Sequence, residues 1–255
     1  MVDWLTPDWP APANVRARVT TRHGGVSCGP YASMNLALHV GDDAAAVAQN
    51  RALLRRALPA APVWLDQVHG IDVVEADSVR GVPQADASVT RSGGVVLAVM
   101  TADCLPVLLA DRAGSVVGIA HAGWRGLVGG VIESTIARMQ VAPGELIAWL
   151  GPAIGPDAFE VGAEVREAAI AAHADAAQAF VACGADKWLA DIFALARLRL
   201  ARAGVRQVAG GGQCTVRDGE NFFSYRRDRI TGRMAALLWI EAAAGNRAGN
   251  RVGNP

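Results

Sequence analysis

The chain carries no excess of charge, few cysteines and no long apolar run, and each absence excludes something; it also has almost no lysine, from which no function follows. Its 24 basic and 24 acidic side chains cancel. Diffuse attraction to nucleic acid or an anionic membrane is therefore not expected, although a local basic patch is compatible with a zero sum. Lys187 is the only lysine; the remaining basic residues are arginines. No stretch reaches the roughly 18 apolar residues that read as a membrane-spanning helix. The first residues, Met1 to Ala13, include Asp3 and Asp8 and lack the basic segment of a secretory signal. Cys28, Cys104, Cys183 and Cys214 are too few and too scattered for a disulfide framework, so reduced thiols and a cytoplasmic location are expected. Neither GxGxxG nor a P-loop pattern occurs, which removes nucleotide binding by those devices.

What remains is an ordinary globular composition, 52% hydrophobic and 19% charged over 255 residues, long enough to bury a sizeable core. Tandem repeats and long linkers are absent. The reading is one domain over residues 1–245 and a flexible tail over 246–255, rich in Gly, Asn and Arg. Short β-branched or apolar runs predict strands at Val15–Thr20, Val63–Val68, Ile71–Glu75, Ala87–Thr90, Val95–Thr101, Pro106–Ala110, Ser115–Ala120 and Leu146–Leu150. Helical patterns cover Asp43–Leu58, Leu127–Met139, Val161–His173, Trp188–Ala203 and Thr231–Ala243, with Asp42 or Asp43 as a cap for the first. Strands crowd the first 150 residues and short turns join several of them. This predicts an α+β fold: a single layered domain of mixed, largely antiparallel sheets flanked by helices.

The chemistry concentrates between Thr101 and Gly126. TADCLP (101–106) and HAGWRG (121–126) end two apolar runs around the turn Asp111–Gly114. A two-residue loop at Arg112 and Ala113 sets Cys104 opposite His121, within reach of a common metal ion; a three-residue loop moves that register by one. His69 ends WLDQVHG (64–70) beside a glycine in the same manner. Two imidazoles and a thiolate suit Zn²⁺ and leave a fourth position open, as catalytic zinc sites do. The spacing 69, 104, 121 matches no local zinc signature. The same residues also fit a cysteine nucleophile with a histidine base, or a buried thiol and two histidines bonded to backbone. Arg22 and Arg125 lie in glycine-flanked loops and are candidate anion holders, with surface ion pairs as the plainer reading. His39 either lines a pocket or packs. The cluster FFSYRRD (222–228) offers a stacking surface, or packed aromatics beneath a solvated arginine pair.

These segments, with TRHGGVS (21–27), NLALHVGDD (35–43), ADASVT (85–90), WLGPAIGP (149–156), FEVG (159–162) and TGRMA (231–235), resemble the YfiH-type laccase-domain family. That family, also described as multicopper polyphenol oxidase-like, includes the peptidoglycan editing factor and purine nucleoside phosphorylases. The likeness runs through nearly the whole chain. One departure is Gly155–Phe159, where cysteine often follows the proline. The resemblance implies a single α/β layered domain with His69, Cys104 and His121 as zinc ligands. It also implies phosphorolysis of adenosine, inosine, guanosine and methylthioadenosine, with adenosine deamination as a second activity. Copper-dependent phenol oxidation and peptidoglycan editing are the family's other associations. A multicopper oxidase needs several clusters of ligands, which five histidines do not supply, whereas one zinc site suffices for hydrolytic deamination. In this reading Cys104, His69, His121 and Asp103 are catalytic, with Asp103 moving a proton or orienting a ligand. Arg22 or Arg125 holds phosphate, and Asn35 and Gln67 bind ribose or base. Purine nucleosides and phosphate are the expected partners, with Zn²⁺ as cofactor and copper as the alternative. Nucleic acid and membrane are not expected partners. A cysteine-dependent amidohydrolase acting on peptidoglycan precursors and a non-enzymatic, metal-stabilised binding protein are the competing readings.

Overall fold

The computed structural model describes residues 2–242; the expected tail at 246–255 lies outside them. A five-stranded sheet runs in the order β1 (Trp4–Leu5), β2 (Val15–Thr20), β14 (Met234–Ile240), β6 (Val96–Thr101) and β3 (Pro62–Val63). A six-stranded sheet runs β13 (Gln207–Gly210), β9 (Leu146–Leu150), β7 (Leu105–Asp111), β8 (Val117–Ala122), β5 (Ala87–Thr90) and β4 (Val73–Glu75). A smaller sheet orders β10 (Glu160–Gly162), β12 (Lys187–Ala190) and β11 (Phe180–Gly184). Parallel pairing is confined to the edge strands β3, β4 and β13, and the other ladders are antiparallel. The fold is thus the expected α+β class with mixed, largely antiparallel sheets.

The two large sheets pack face to face. Alternate residues of each strand point to opposite faces. Leu97 and Val99 of β6 and Leu108 and Ala110 of β7 meet in the shared core between the sheets. Val96, Ala98 and Met100 face the other way, toward Leu54 of helix α1 (Ala44–Arg56). Leu105, Val107 and Leu109 pack on the helical layer of α2 (Trp124–Gly129), α3 (Val131–Met139), α4 (Ala163–Ala172) and α5 (Ile192–Arg202). A short α6 (Tyr225–Asp228) precedes β14. The layers are helix, sheet, sheet, helix. Asp43 caps α1, its carboxylate accepting from the Ala45 amide at 3.1 Å.

Four readings are corrected. Met234–Ile240 is a strand, not part of a helix over Thr231–Ala243. Its residues are buried on both faces and paired with β2 and β6, so its unbroken apolar run has no two-residue alternation to read. Trp188 belongs to β12, and the helix starts only after Asp191, whose side chain accepts from Ala194. Gly130 adopts φ +106° and splits the Leu127–Met139 helix in two. The run Val63–Val68 leaves the sheet after Val63 because Gln67 pairs side chain to backbone with Met100 instead.

A candidate metal centre and the cavity it faces

Three chain segments meet at one end of the six-stranded sheet. The first is the β7–β8 hairpin. Its loop has four residues, Arg112 to Ser115, closed by the Asp111 amide bonding Val116. His121 therefore lies opposite Pro106, and Cys104 falls two places beyond that pair, not opposite His121 as a two-residue loop requires. A two-place shift preserves the sheet face, so thiol and imidazole still point to the same side. The reason for the longer loop is Asp111, whose carboxylate accepts from Ser115 and Val116 within the turn.

The second segment is the turn that delivers Cys104. Asp103 has φ +94°, a region costly for a residue with a side chain. It is held by both carboxylate oxygens: Oδ1 accepts from Thr215 Oγ1 at 2.6 Å and Oδ2 from the Arg226 amide at 2.7 Å. Its carbonyl accepts from Ile154 at 2.9 Å. Asp103 is thus committed to the scaffold that presents Cys104, with no oxygen aimed freely at the cavity.

The third is the loop carrying His69, itself at φ +62°. The amides of Val68, His69 and Gly70 converge on the carboxylate of Asp86 at 3.1, 3.0 and 2.6 Å. Oδ1 of Asp86 also accepts from Nδ1 of His121 at 2.7 Å. Asp86 is fully buried at the head of β5. Burial alone would raise its pKa, but the bonds from His121, Gly70 and Val68 outweigh it and hold the carboxyl below the usual range. Gly123 completes the junction. A Cβ there would lie 2.7 Å from His69 Cδ2 and 3.0 Å from Cys104 Sγ, so a side chain would displace two donors.

The Nε2 of His69 stands 3.7 Å from Cys104 Sγ. The two imidazoles meet edge to face with centroids 4.8 Å apart. The donor atoms of His69, Cys104 and His121 all lie within 4.8 Å of one another. Tetrahedral zinc, with bonds of 2.0–2.3 Å, places such donors roughly 3.3–3.6 Å apart, so small rotations bring this set onto one ion. Three donors of this chemistry fit Zn²⁺ with one open position; copper accepts the same set. Without metal, burial pushes the Cys104 thiol up, yet the adjacent His121 and His69 bring it down to about 6. His121 moves the opposite way: burial lowers it, while the Cys104 thiolate and Asp86 raise it to about 9. Without metal the pair is a thiolate beside an imidazolium; a metal bound by both takes the place of the imidazolium's Nε2 proton.

The triad opens on a cavity of about 390 Å³ whose lining also includes His39, Tyr225 and Arg233. Arg233 donates from Nη1 to the carbonyls of Thr231 and Gly232 at 3.0 Å. Among the described residues it forms no ion pair. Burial lowers its pKa, while the nearby Cys104 and Asp103 act the other way; an arginine remains charged, so its guanidinium is a cation at the cavity without a direct ion-pair partner. Burial first, and then Arg233, push the His39 imidazole down, which favours the neutral ring. Tyr225 also borders an apolar recess of about 140 Å³ walled by Trp124, Ile154, Phe159 and Ile192.

The remaining candidates from the sequence are placed as follows. Gln67 lines the cavity, but its amide is locked to the Met100 backbone at 2.9 and 2.7 Å. Asn35 is fully buried, accepting from Ala37 and Arg233 amides and donating to Asp42; it holds the backbone of the arginine, not an open contact. Arg22 is spent on the carbonyls of Ala32 and Gly219 at 3.1 and 2.9 Å and stacks on Phe223. Arg125 is exposed and stacks on its neighbour Trp124. Neither of these arginines lines the cavity. Phe222 and Phe223 are buried, as packed aromatics beneath an arginine pair would be. Residues without an assigned role in the sequence reading, Asp86 and Arg233, are central here. Their signal was a carboxylate and a guanidinium at the heads of apolar strand runs, where each must find a partner or serve one.

A model of the multi-copper polyphenol oxidoreductase laccase family matches residues 16–241. A Pseudomonas aeruginosa protein called a purine nucleoside phosphorylase is 57% identical over 93% of this chain and 98% of its own length. The Escherichia coli purine nucleoside phosphorylase YfiH is 54% identical over 92% and 98%. Among solved structures, a Neisseria meningitidis protein superposes with a TM-score of 0.91 at 55% identity, covering 94% of this chain and 99% of that one. YlmD from Geobacillus stearothermophilus gives 0.87 at 35%, covering 93% and 96%. With the match spanning both large sheets and all three segments of the donor site, the chain belongs to the multi-copper polyphenol oxidoreductase laccase family, in its YfiH-type branch.

Proposed function

We propose that the protein is a zinc-dependent purine nucleoside phosphorylase, acting on adenosine, inosine, guanosine and methylthioadenosine, with hydrolytic adenosine deamination as a second activity in the same cavity. The observation that carries this reading is the pairing of two unlike groups. A His₂Cys donor set and a half-buried guanidinium without an ion-pair partner among the described residues line one cavity, which suits both a metal and an anion. Relatives 45–57% identical over at least 92% of the chain, all called purine nucleoside phosphorylases, support it.

In phosphorolysis an oxygen of phosphate bonds to C1′ of the ribose while the C1′–N9 bond breaks, and the base leaves with a proton. His69, Cys104 and His121 would hold the zinc, which supplies Lewis acidity and acidifies water when bound. Arg233 binds the phosphate and keeps its charge through the reaction. His39, neutral and beside Arg233, accepts or returns the proton exchanged between phosphate and base. Tyr225 offers the purine a stacking face. Asp103 keeps Cys104 in place, and Gln67 and Asn35 fix the walls. Arg22 and Arg125 are not assigned to phosphate. The reading carries with it a cytoplasmic location; no helix among the described residues is long and apolar enough to cross a membrane.

A cysteine-dependent amidohydrolase in peptidoglycan editing is the second reading, favoured by the thiolate–imidazolium pair of Cys104 and His121. Copper-dependent phenol oxidation is less favoured, because one His/Cys/His group, and no second cluster, comes together among the described residues. A metal-stabilised binding protein predicts that Cys104→Ala lowers stability while the parent shows no turnover. The test is to incubate zinc-loaded protein with the nucleosides, with and without phosphate, and to identify the products. Free base and ribose 1-phosphate formed only with phosphate are expected, together with inosine from adenosine. Turnover that survives complete chelation overturns the zinc reading.

A further inference from the structure

We infer that Asp86 is the positioning residue of the metal centre: one carboxylate sets the tautomer of His121 and the backbone turn that presents His69. The two routes differ in their donors and share Oδ1, which accepts from the His121 ring and from the His69 amide. Toward His121 the bond is side chain to side chain, Nδ1 to Oδ1 at 2.7 Å. With the proton held on Nδ1, the lone pair lies on Nε2, the nitrogen left for the cation. Toward His69 the bonds are side chain to backbone, from the amides of Val68, His69 and Gly70. These three donors fix a turn whose middle residue has φ +62°, a conformation that needs support in a residue bearing a side chain. Asp86 in turn is held through its backbone: its carbonyl accepts from the His121 amide at 2.7 Å, and its amide donates to Asp72 at 3.1 Å. Two ligands from segments 52 residues apart in sequence are thereby referred to one rigid point. Carboxylates behind metal-bound histidines commonly orient the ring and strengthen the ligand; here the same group also shapes the second ligand's loop.

Asp86→Asn separates these roles from mere bulk, because the amide cannot serve both routes. With its NH₂ toward the loop, donor faces donor and the turn at His69 loosens. With its NH₂ toward His121, it also faces the His69 amide, and the ring must accept at Nδ1 and carry its proton on Nε2, which then has no lone pair for a metal. An amide in place of such a carboxylate selects the wrong tautomer in catalytic triads by the same logic.

This inference rests on the metal-centre reading and not on the choice of substrate, so its test is metal binding. Zinc affinity of the full chain is measured by competition with a chromogenic chelator for wild type, Asp86→Asn, His121→Ala and the double variant, beside thermal unfolding of each metal-free protein. Expected is a loss of about tenfold or more in zinc affinity for Asp86→Asn, and a smaller loss when the same change is made in the His121→Ala background. The cobalt-loaded variant should show a weaker or shifted d–d spectrum. An Asp86→Asn protein that unfolds at lower temperature yet binds zinc as tightly as wild type overturns the proposal and leaves Asp86 a loop brace. Should the variant fail to fold, long-range ¹⁵N–¹H correlation on zinc-loaded wild type decides: a proton on Nδ1 of His121 supports the proposal, and a proton-free Nδ1 overturns it. Zinc bound in wild type without nucleoside cleavage leaves the proposal standing and sinks the phosphorylase reading alone.

Discussion

Two parts of the cavity lining are built on opposite principles. On the His69–Cys104–His121 wall each ligand segment is anchored by a buried carboxylate, Asp86 or Asp103, with both oxygens engaged. Elsewhere in the cavity lining, Arg233 is half-buried without a carboxylate ion pair among the described residues, although two backbone carbonyls hold its Nη1. Under the proposed function, the difference gives one cavity places suited to two kinds of ligand. A metal needs donors fixed to within a few tenths of an ångström, so its wall is saturated with internal bonds. An anion needs available positive charge, so its wall leaves that charge unspent.

The largest effect that would break this comparison is on the metal wall. Cys104→Ala, or chelation of the parent, is expected to lower phosphorolysis by more than about a hundredfold and to abolish stoichiometric zinc. Elemental analysis beside the assay checks it; near-parent activity in the zinc-free protein would remove the metal wall from the chemistry. Elsewhere in the lining, Arg233→Met is expected to raise KM for phosphate about tenfold or more, with zinc content unchanged and a smaller change in KM for nucleoside. Equal changes in both constants would show that Arg233 does not discriminate phosphate.

A pH measurement sharpens the contrast further. In metal-free protein Cys104 titrates near 6 and His121 near 9. The Cys104 pKa is depressed from its unfolded value, so its contribution to stability is lost as pH falls through about 6. That of His121 is raised, so its contribution is lost as pH rises through about 9. Thiol alkylation of the metal-free protein should therefore stay fast down to pH 6 and drop below it, whereas a normal thiol would slow already below 9. The smallest effect is expected at Arg125. Arg125→Ala should change KM for phosphate by less than about twofold, since its side chain lies exposed on Trp124. Arg22→Ala should lower the melting temperature, having lost two carbonyl bonds, without a phosphate phenotype.

Much of this was legible from residue order. The strand runs at β5, β6, β7 and β9 are short and largely apolar, β2 alternates apolar and polar residues, and Asp43 caps α1 where its position suggests. A two-residue loop sets Cys104 opposite His121, two places from the observed register, and only the two-residue period of a strand keeps both on one side. The failures have a common cause. Met234–Ile240 is buried on both faces and so carries no alternation to mark it as a strand. The arginines in glycine-flanked loops looked available because sequence shows neither the carbonyls that occupy Arg22 nor the exposure of Arg125. Asp86 sat unassigned in its strand because its four donors come from residues 68–70 and 121.

By itself the sequence determined the layered α+β class, the donor chemistry of two imidazoles and one thiolate, and the family, since these depend on local pattern and residue type. The tertiary structure decided which charges remain free and which are consumed. That is a matter of partners brought together across long loops, as when Asn35 and Arg233, 198 residues apart, share a hydrogen bond. A side chain's chemistry is written in its identity, but its availability depends on what the folded chain leaves unpaired around it.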